Sequence, residues 1–418
     1  MKDMKKEEIL SRNARYHIIE GALYISTGAL LSAQTIMPAL IKRLGGSDIL
    51  VGTWPVVVYL AYFLPQVISA NYSGALRYRK PFVIKGGLLQ RIFILALACA
   101  LALWGKTIPS LALTCLFVVY VLNQAISGSV SPIWMDFLAK TTSESSRGKL
   151  MGWRTSFAAA LGLLNGLILT ALLGLIAFPY NYASALALAF IYQMSSLVAQ
   201  RKIREEDPSP LVRPVGLTSL MERVRTIVRK DPVYRKFLIA SALLTVSFSS
   251  VAFFTVAAMQ RIALSESTVG VFTVITVVGQ ILSGIAVGWI ADIHGTRLAL
   301  ILCAGTLLCS IALILVSSSL AWFYVVFAFA GANIGVEMYM RYNFAVECAP
   351  AGERAMYVGI MNAWFAPFYL LTPFAGWICS RYGYDVVFAA SLLIGVAGAF
   401  LLWRMPDSPK QQLALSSK

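Results

Sequence analysis

The sequence predicts an all-α membrane protein of twelve transmembrane helices, arranged as two six-helix halves that repeat each other. Of the 418 residues, 58% are hydrophobic and 13% are charged, which is more apolar surface than a soluble core of this length can bury. Apolar runs of about 20 residues, the length of a helix that crosses a hydrocarbon core, recur along the chain. The two halves also share sequence patterns at a nearly constant spacing.

Twelve apolar segments define the predicted spans, which are numbered 1 to 12 in chain order. None shows the strict alternation of apolar and polar residues that a barrel strand needs, so the spans are predicted to be helices. The first six spans are predicted at 16–41, 48–70, 82–104, 109–138, 149–172 and 175–199. The last six are predicted at 234–260, 266–291, 297–316, 319–347, 354–378 and 384–405.

The distribution of charged residues predicts how the chain crosses the membrane. Residues 1–15 are charged and lack an apolar stretch followed by a small-residue cleavage site, so we expect span 1 to be retained. Lysine and arginine crowd the N-terminus, the loops after spans 2 and 4, and the central loop. By the positive-inside rule, both termini face the cytoplasm of a bacterial-type inner membrane. The net charge of +16 therefore reflects topology, and no nucleic-acid partner is expected.

The sequence gives no indication of an active site, a metal or a cofactor. Its six cysteines lie in or at the ends of apolar spans without a CxxC pair, and its two histidines are far apart. No nucleotide-binding, hydrolase or metalloprotease motif is present. We therefore expect a protein that is not an enzyme and that binds neither metal nor cofactor.

A polar segment at 200–233 divides the chain into two domains at 1–199 and 234–418. Prolines and charges interrupt the hydrophobic pattern there. Within it, apolar residues recur at spacings of three and four between basic residues, which predicts a short amphipathic helix on the cytoplasmic face or at the lipid headgroups. The helix is predicted to be a solvated linker, with a regulatory role as the alternative.

The two domains repeat each other in sequence. The residues in register are, at an offset of 207, Arg147 with Arg354 and Gly152 with Gly359, and, at an offset of 218, Gly52 with Gly270 and Arg79 with Arg297. Parallel six-helix repeats on either side of a cytoplasmic loop are typical of transporters. They predict a binding site between the two halves near the middle of the bilayer.

Residues 288–297, GWIADIHGTR, resemble the signature between spans 8 and 9 of the major facilitator superfamily, and the resemblance extends over essentially the whole chain. In that family the glycine allows two helices to approach closely. An acidic and a basic residue form a latch on the cytoplasmic side that holds the transporter in one conformation. The resemblance assigns the latch to Gly288, Asp292, Gly295 and Arg297. It implies the fold and the transport function of that superfamily.

Two departures limit what the resemblance implies. The first-half copy, residues 71–80, has Gly74 where the acidic residue belongs, so a symmetrical latch does not follow. Span 5 reads GLLNG at 162–166 and lacks the Pro-Gly element of the family's drug antiporters. A drug/proton antiporter is therefore not favoured. Residues 64–91 are similar to bacterial branches of the superfamily.

Ionisable groups inside spans are costly and are therefore functional candidates. Glu337 and Arg341 are four residues apart in span 10, so they share one helical face and can form an ion pair. The pair predicts proton coupling at Glu337 and anion binding at Arg341, or else a structural lock. Glu20 is a second proton-coupling candidate, with His17 or Arg154 as its partner. Arg91 in span 3 is predicted to be a structural counter-charge or to lie at the cavity edge.

Neutral polar side chains in the spans are candidates for hydrogen bonds to a solute. Bonds between helices, worth about 0.6 kcal/mol each, explain them equally well. The candidates are Asn333, Asn123, Gln124, Gln34, Asn165, Gln280, Asn362 and Tyr24.

The leading functional prediction is secondary active transport of a small organic solute by alternating access. Proton coupling is expected because acidic groups occur in spans that line the cavity in the family and no ATP-binding motif exists. The alternatives are a uniporter, a lipid flippase, or a scaffold or sensor that does not transport. The excess of cationic groups in the spans favours an anionic or zwitterionic solute. Protons and membrane lipid are the other expected partners, and we expect a monomer.

Overall fold

A computed structural model describes residues 2–206, 208–209, 211, 217–350 and 353–407. These residues form helices and connecting turns, with no strand among them. Eleven helices in this part of the chain are long and apolar enough to cross a membrane. They correspond to predicted spans 2 to 12, and predicted span 1 is divided into two helices. The all-α fold of an integral membrane protein is thereby confirmed, and the twelve-span count is consistent with it.

Eight helices build the first half. Their bounds are α1 Lys2–Ser26, α2 Ile36–Arg43, α3 Asp48–Pro55, α4 Ala61–Tyr72, α5 Lys80–Trp104, α6 Pro109–Thr141, α7 Arg147–Leu175 and α8 Tyr180–Arg201. Helices α1 and α2 form span 1, and α3 and α4 form span 2. A π-helical turn at Val56–Leu60, directly after Pro55, joins α3 to α4. Since proline cannot donate a backbone hydrogen bond, it accounts for the irregular turn there.

Nine further helices include the linker helix and build the second half. Their bounds are α9 Leu217–Lys230, α10 Pro232–Phe248, α11 Phe254–Arg261, α12 Glu266–His294, α13 Thr296–Val316, α14 Leu320–Cys348, α15 Arg354–Phe365, α16 Thr372–Tyr382 and α17 Tyr384–Trp403. Helix α9 lies where the sequence predicts the amphipathic linker helix. Helices α10 and α11 form span 7, and α15 and α16 form span 11, each joined by a short 3₁₀ segment.

The chain divides into two compact units. Unit 1 contains residues 1–45, 57–215 and 265–271, and unit 2 contains residues 46–56, 216–264 and 272–418. The start of span 2 is thus part of unit 2, and the start of span 8 is part of unit 1. The predicted domain boundaries at 199 and 234 stay predictions.

Glycines explain how these two exchanged segments pack within their units. In unit 2, a Cβ atom at Gly52 would lie 2.4 Å from the carbonyl oxygen of Thr372, and one at Gly376 would lie 2.3 Å from that of Asp48. In unit 1, a Cβ atom at Gly270 would lie 2.6 Å from the Cα of Thr170. Only glycine permits such close helix contact. The glycine pair that the sequence repeat aligns, at positions 52 and 270, therefore has the same packing role in each unit.

Candidate functional site

Span 1 in unit 1 is interrupted in the middle of its predicted length. Helix α1 ends at Ser26 and α2 begins at Ile36, with turns at 27–35. The start of the break is tightened by backbone bonds from Thr27 N to the Tyr24 oxygen (3.3 Å) and from Gly28 N to the Ile25 oxygen (3.0 Å). The segment between the two helices therefore lacks the regular hydrogen bonding of an α-helix, at the middle of predicted span 1.

Backbone groups in this break lack the partners that a helix would supply. Among the described residues, the amides of Leu30 and Ala33 and the carbonyls of Gly28 and Ala29 make no backbone hydrogen bond. Such groups cost several kcal/mol in hydrocarbon, so irregular backbone at this depth occurs only where protein buries it or where it lines an aqueous cavity. Gly28 is exposed, so its unbonded carbonyl is open to a hydrogen-bonding partner.

Polar side chains from neighbouring helices support both ends of the break. Asn165 on α7 is fully buried and donates to the Ser26 carbonyl at 3.2 Å. Gln193 on α8 donates to the Thr27 hydroxyl at 3.1 Å. At the other end, the half-buried Gln34 donates to the Tyr59 hydroxyl at 3.3 Å. The structure thus brings predicted Gln34 and Asn165 to one segment and adds Gln193, which the sequence analysis did not single out.

A buried ion pair joins α1 and α7 on the N-terminal side of the break. Arg154 Nη1 lies 3.0 Å from Glu20 Oε2, and both side chains are nearly inaccessible. The Arg154 guanidinium also lies 4.3 Å from the centroid of the Trp134 ring. A Cβ atom at Gly21 would lie 1.8 Å from Arg154 Nε. The glycine therefore makes room for the arginine to cross α1. Of the two predicted partners of Glu20, Arg154 is the one it contacts.

Arg91 is held by its own set of contacts in unit 1. It donates to the carbonyls of Gln193 (2.9 Å) and Gly87 (2.8 Å), and its guanidinium lies 5.2 Å from the centroid of the Tyr24 ring. The side chain is buried. These contacts fix Arg91 between α5 and α8, and its role as a counter-charge stays a prediction. The Tyr24 ring stacks against the Arg91 guanidinium.

The remaining neutral candidates of unit 1 bond to backbone in neighbouring helices. Asn123 is buried and donates to the Gln90 carbonyl at 2.9 Å. Gln124 is half-buried and donates to the Val58 carbonyl at 3.0 Å, at the irregular turn of span 2. Both side chains therefore connect neighbouring helical segments, and their role as solute ligands stays a prediction.

Unit 2 contains the predicted charge pair in span 10. Arg341 Nη2 forms an ion pair with Glu337 Oε1, and the side chains are 3% and 19% exposed respectively. Arg341 also donates to the Thr245 hydroxyl (2.8 Å) and the Ser241 carbonyl (3.2 Å), both on α10. Its guanidinium lies 4.6 Å from the centroid of the Phe365 ring. The arginine is thus enclosed by protein, whereas the carboxylate is the more accessible member of the pair.

The other candidates of unit 2 occupy different surroundings. Asn333 is buried and donates to the Cys303 carbonyl at 2.8 Å. Asn362 is buried and donates to the Tyr342 hydroxyl at 3.0 Å. Gln280 is half-buried, and its backbone lies against Gly335. Asn333 lines a cavity together with Glu337 and Arg341.

The signature segment makes contacts that its motif alone does not indicate. Arg297 pairs with Asp407 at 3.2 Å and donates to the carbonyls of Leu402 and Trp403 near the end of α17. Asp292 is exposed and forms no ion pair with the other described residues. Gly295 has φ +90, and a Cβ at Gly288 would meet nothing within 4 Å. The latch role of these residues stays a prediction.

In the first-half copy of the signature, Gly74 replaces the acidic residue. Carboxylates from other segments contact residues 73, 79 and 80 of this copy. Asp136 accepts from the Ser73 hydroxyl at 2.9 Å and lies 3.9 Å from Arg79 Nη2. Glu205, with a 1% exposed side chain, accepts from Lys140 Nζ at 2.8 Å. Glu205 also accepts from the backbone amides of residues 79 and 80, at 3.0 and 2.8 Å, and so caps the start of α5.

We expect Glu205→Ala to destabilise the protein by about 1 to 2 kcal/mol, since it removes a helix cap and leaves buried donors without an acceptor. The neighbouring Glu206 is exposed, so Glu206→Ala is the matched control and should leave the melting temperature unchanged. Thermal unfolding of both purified variants checks this. Equal melting temperatures for the two would show that the Glu205 contacts add no stability.

A family profile described as Major Facilitator Superfamily matches residues 22–365 and 237–418. Among curated proteins, no sequence match is found. Many solved structures share the fold.

Three solved structures illustrate the similarity. A mutant of the nucleoside transporter NupG has a TM-score of 0.70 and 11% identity, with 95% of this chain and 99% of that chain covered. A POT family transporter in complex with 5-aminolevulinic acid has a TM-score of 0.71 and 12% identity, with 96% of each covered. The D-xylose-proton symporter has a TM-score of 0.67 and 14% identity, with 96% and 98% covered. At these identities the likeness establishes the fold alone.

Proposed function

We propose that this chain, which belongs to the Major Facilitator Superfamily, couples movement of a small polar organic solute to a proton by alternating access. The observation that carries the proposal is the accessible carboxylate of Glu337 within a membrane span. A carboxylate inside a span is costly unless it is paired or reaches water. Glu337 meets the first condition, since it pairs with Arg341, and 19% of its side chain is exposed, which leaves it open to protonation.

The contacts of Arg341 support a positioning role. Its donors are directed to a carboxylate, a hydroxyl and a carbonyl of the same unit, and its side chain is 3% exposed. An anionic solute would have to displace these bonds, each of which is strengthened by the charge. We therefore propose that Arg341 fixes the Glu337 carboxylate, in place of the anion binding that the sequence suggested. A proton on Glu337 would weaken this ion pair within α14, while Arg341 keeps its bonds to Thr245 and Ser241 on α10.

The break in span 1 supports a proposal for the class of solute that the protein binds. The exposed Gly28 offers its backbone carbonyl, and the half-buried Gln34 adds a side-chain amide; both groups are uncharged. The charged groups nearby, Glu20, Arg154 and Arg91, are buried and paired. We propose that a hydroxyl- or amide-bearing solute hydrogen-bonds to this segment. A solute that carries both signs of charge remains compatible, whereas a strong preference for anions is not favoured.

Transport in proteoliposomes tests the proposal against its alternatives. A thermal-shift screen of metabolites first identifies a solute that stabilises the purified protein, because bound ligand raises stability by RT ln(1 + [L]/Kd). Uptake of that solute is then measured with and without an imposed pH gradient. Accumulation only with the gradient supports proton coupling, and uptake that merely equilibrates indicates a uniporter. Movement of labelled lipid instead indicates a flippase, and no flux indicates a scaffold or sensor.

We further propose that both termini and the central loop face the cytoplasm of a bacterial inner membrane. A single cysteine at Ser209, introduced after replacement of the six native cysteines, should react with an impermeant maleimide only in inside-out vesicles. A single cysteine at Ser318, between α13 and α14, should react only in right-side-out cells. The reverse labelling pattern would overturn this orientation.

A further inference from the structure

A small enclosed cavity lies within unit 2 beside the charge pair of span 10. Helices α10, α13 and α14 enclose it, and its walls include Ser241, Cys303, Asn333, Glu337 and Arg341. The volume open to the centre of a water-sized sphere is about 10 Å³. One water molecule needs roughly 10 to 15 Å³ on this measure together with two to four polar partners. The space therefore admits one water molecule and is too small for an organic solute.

Two polar atoms at this cavity have no hydrogen-bond partner among the described residues. They are the hydroxyl of Ser241 and the Oδ1 of Asn333, and both residues are 1% exposed. The Asn333 amide nitrogen is already used, since it donates to the Cys303 carbonyl at 2.8 Å. That bond fixes the amide and leaves its oxygen as an acceptor. A buried hydroxyl or amide oxygen without a partner costs about 1 to 3 kcal/mol, so such groups are nearly always satisfied.

We propose that this cavity binds a single water molecule that connects Ser241, Asn333 and Glu337. The water accepts a hydrogen bond from the Ser241 hydroxyl and donates to Asn333 Oδ1 and to the Glu337 carboxylate. Each polar atom then has a partner, and the water makes three hydrogen bonds, the usual number for buried water. The small size of the cavity and the two unpaired atoms are independent observations that agree on the same ligand.

A metal cation fits this cavity less well than water does. Arg341 forms part of the wall and carries a positive charge, which would repel a second cation at this distance. The oxygen atoms of three side chains also fall short of the six or more ligands that hard cations prefer. The Ser241 hydroxyl as donor, with Asn333 Oδ1 and the Glu337 carboxylate as acceptors, matches a water molecule.

The water site deepens the proposed coupling role of Glu337 but does not depend on it. In the ion-paired state, the Glu337 carboxylate accepts hydrogen bonds from both Arg341 and the water. If protonation breaks the ion pair, the water remains as the partner of the carboxyl group. It would thus act as a positioning ligand that keeps Glu337 in place through the transport cycle.

The test compares two serines of α10 that both have a buried, unpaired hydroxyl. Ser247 is fully buried, has no hydrogen-bond partner among the described residues, and is not part of the cavity wall. Ser247→Ala removes an unsatisfied polar group, so its melting temperature should stay the same or rise. Ser241→Ala removes a bond to the water and should lower the melting temperature by a few degrees. A rise for Ser241→Ala equal to that of Ser247→Ala would overturn the proposal.

A high-resolution structure and an ion series complete the test. Density for one water within hydrogen-bond distance of Ser241 Oγ and Asn333 Oδ1 is expected, and its loss is expected in Ser241→Ala. Absence of such density in a high-resolution structure of the wild-type protein would contradict the proposal. So would a rise in melting temperature specific to sodium over choline that Ser241→Ala abolishes, because it would identify a cation. None of these measurements involves transport, so their outcome is separate from whether Glu337 carries the coupled proton.

Discussion

Glu337→Gln is expected to abolish accumulation of solute driven by a pH gradient while exchange of solute across the membrane continues. Glutamine mimics the protonated carboxyl group, so the variant can rearrange but cannot bind or release the proton. With one-to-one coupling, a gradient of one pH unit supports about tenfold accumulation. We expect that factor in the wild type and a ratio near one in the variant. Uptake and counterflow in proteoliposomes measure both quantities.

Melting temperatures of the two single variants and the double variant separate coupling from a purely structural pair. If the pair only stabilises α14 and its contact with α10, Glu337→Gln and Arg341→Gln each leave a buried polar or charged group without its partner. Both singles would then lose stability and all transport together. The combination Glu337→Gln with Arg341→Gln would recover stability and transport, as a double-mutant cycle of a coupled pair shows. Recovery of gradient-driven accumulation in that double variant would exclude proton coupling at Glu337.

Arg154→Gln is expected to destabilise unit 1 strongly, because it leaves the Glu20 carboxylate buried without a counter-ion. Breaking a buried ion pair in this way costs about 3 to 5 kcal/mol. The double variant Glu20→Gln with Arg154→Gln removes both charges and should recover much of that loss. Thermal unfolding in detergent measures the series. If Arg154→Gln unfolds at the wild-type temperature, the pair contributes no net stability.

A glycine variant provides an independent test of the same geometry. Gly21→Ala places a methyl group where the Arg154 side chain crosses α1, at 1.8 Å from its Nε. Gly152→Ala is the matched control, because a Cβ atom there meets nothing within 4 Å. We expect the first to lower the melting temperature toward that of Arg154→Gln and the second to have no effect. Equal stability of the two alanine variants would mean that the arginine does not depend on the space above Gly21.

Much of the fold could be predicted from the sequence because membrane helices are recognisable from hydropathy and length alone. The break in span 1 could not. Residues 27–35 are apolar or uncharged and contain no proline. A hydropathy profile therefore shows no interruption of the helix there. The break depends on tertiary support, since Asn165 and Gln193 bind its first residues from other helices. Such support leaves no local signal in the chain.

The candidate site was predictable where it depended on local spacing. The four-residue interval between Glu337 and Arg341 predicted an ion pair, and the pair is present. Long-range partners were not predictable in the same way. Glu20 had two possible partners in sequence, and only the packing of α1 on α7 selects Arg154. Glu205 was missed because its contacts with the start of α5 and with Lys140 join segments far apart in the chain.

The most direct test of the proposed function is the movement of protons when solute is added. Proteoliposomes that enclose a pH-sensitive dye, with no imposed gradient, receive the solute identified by thermal shift. The proposal predicts a change in internal pH that follows solute uptake, is absent without protein, and is lost in Glu337→Gln although labelled solute still exchanges. Solute uptake by the wild-type protein without any change in internal pH would contradict proton coupling.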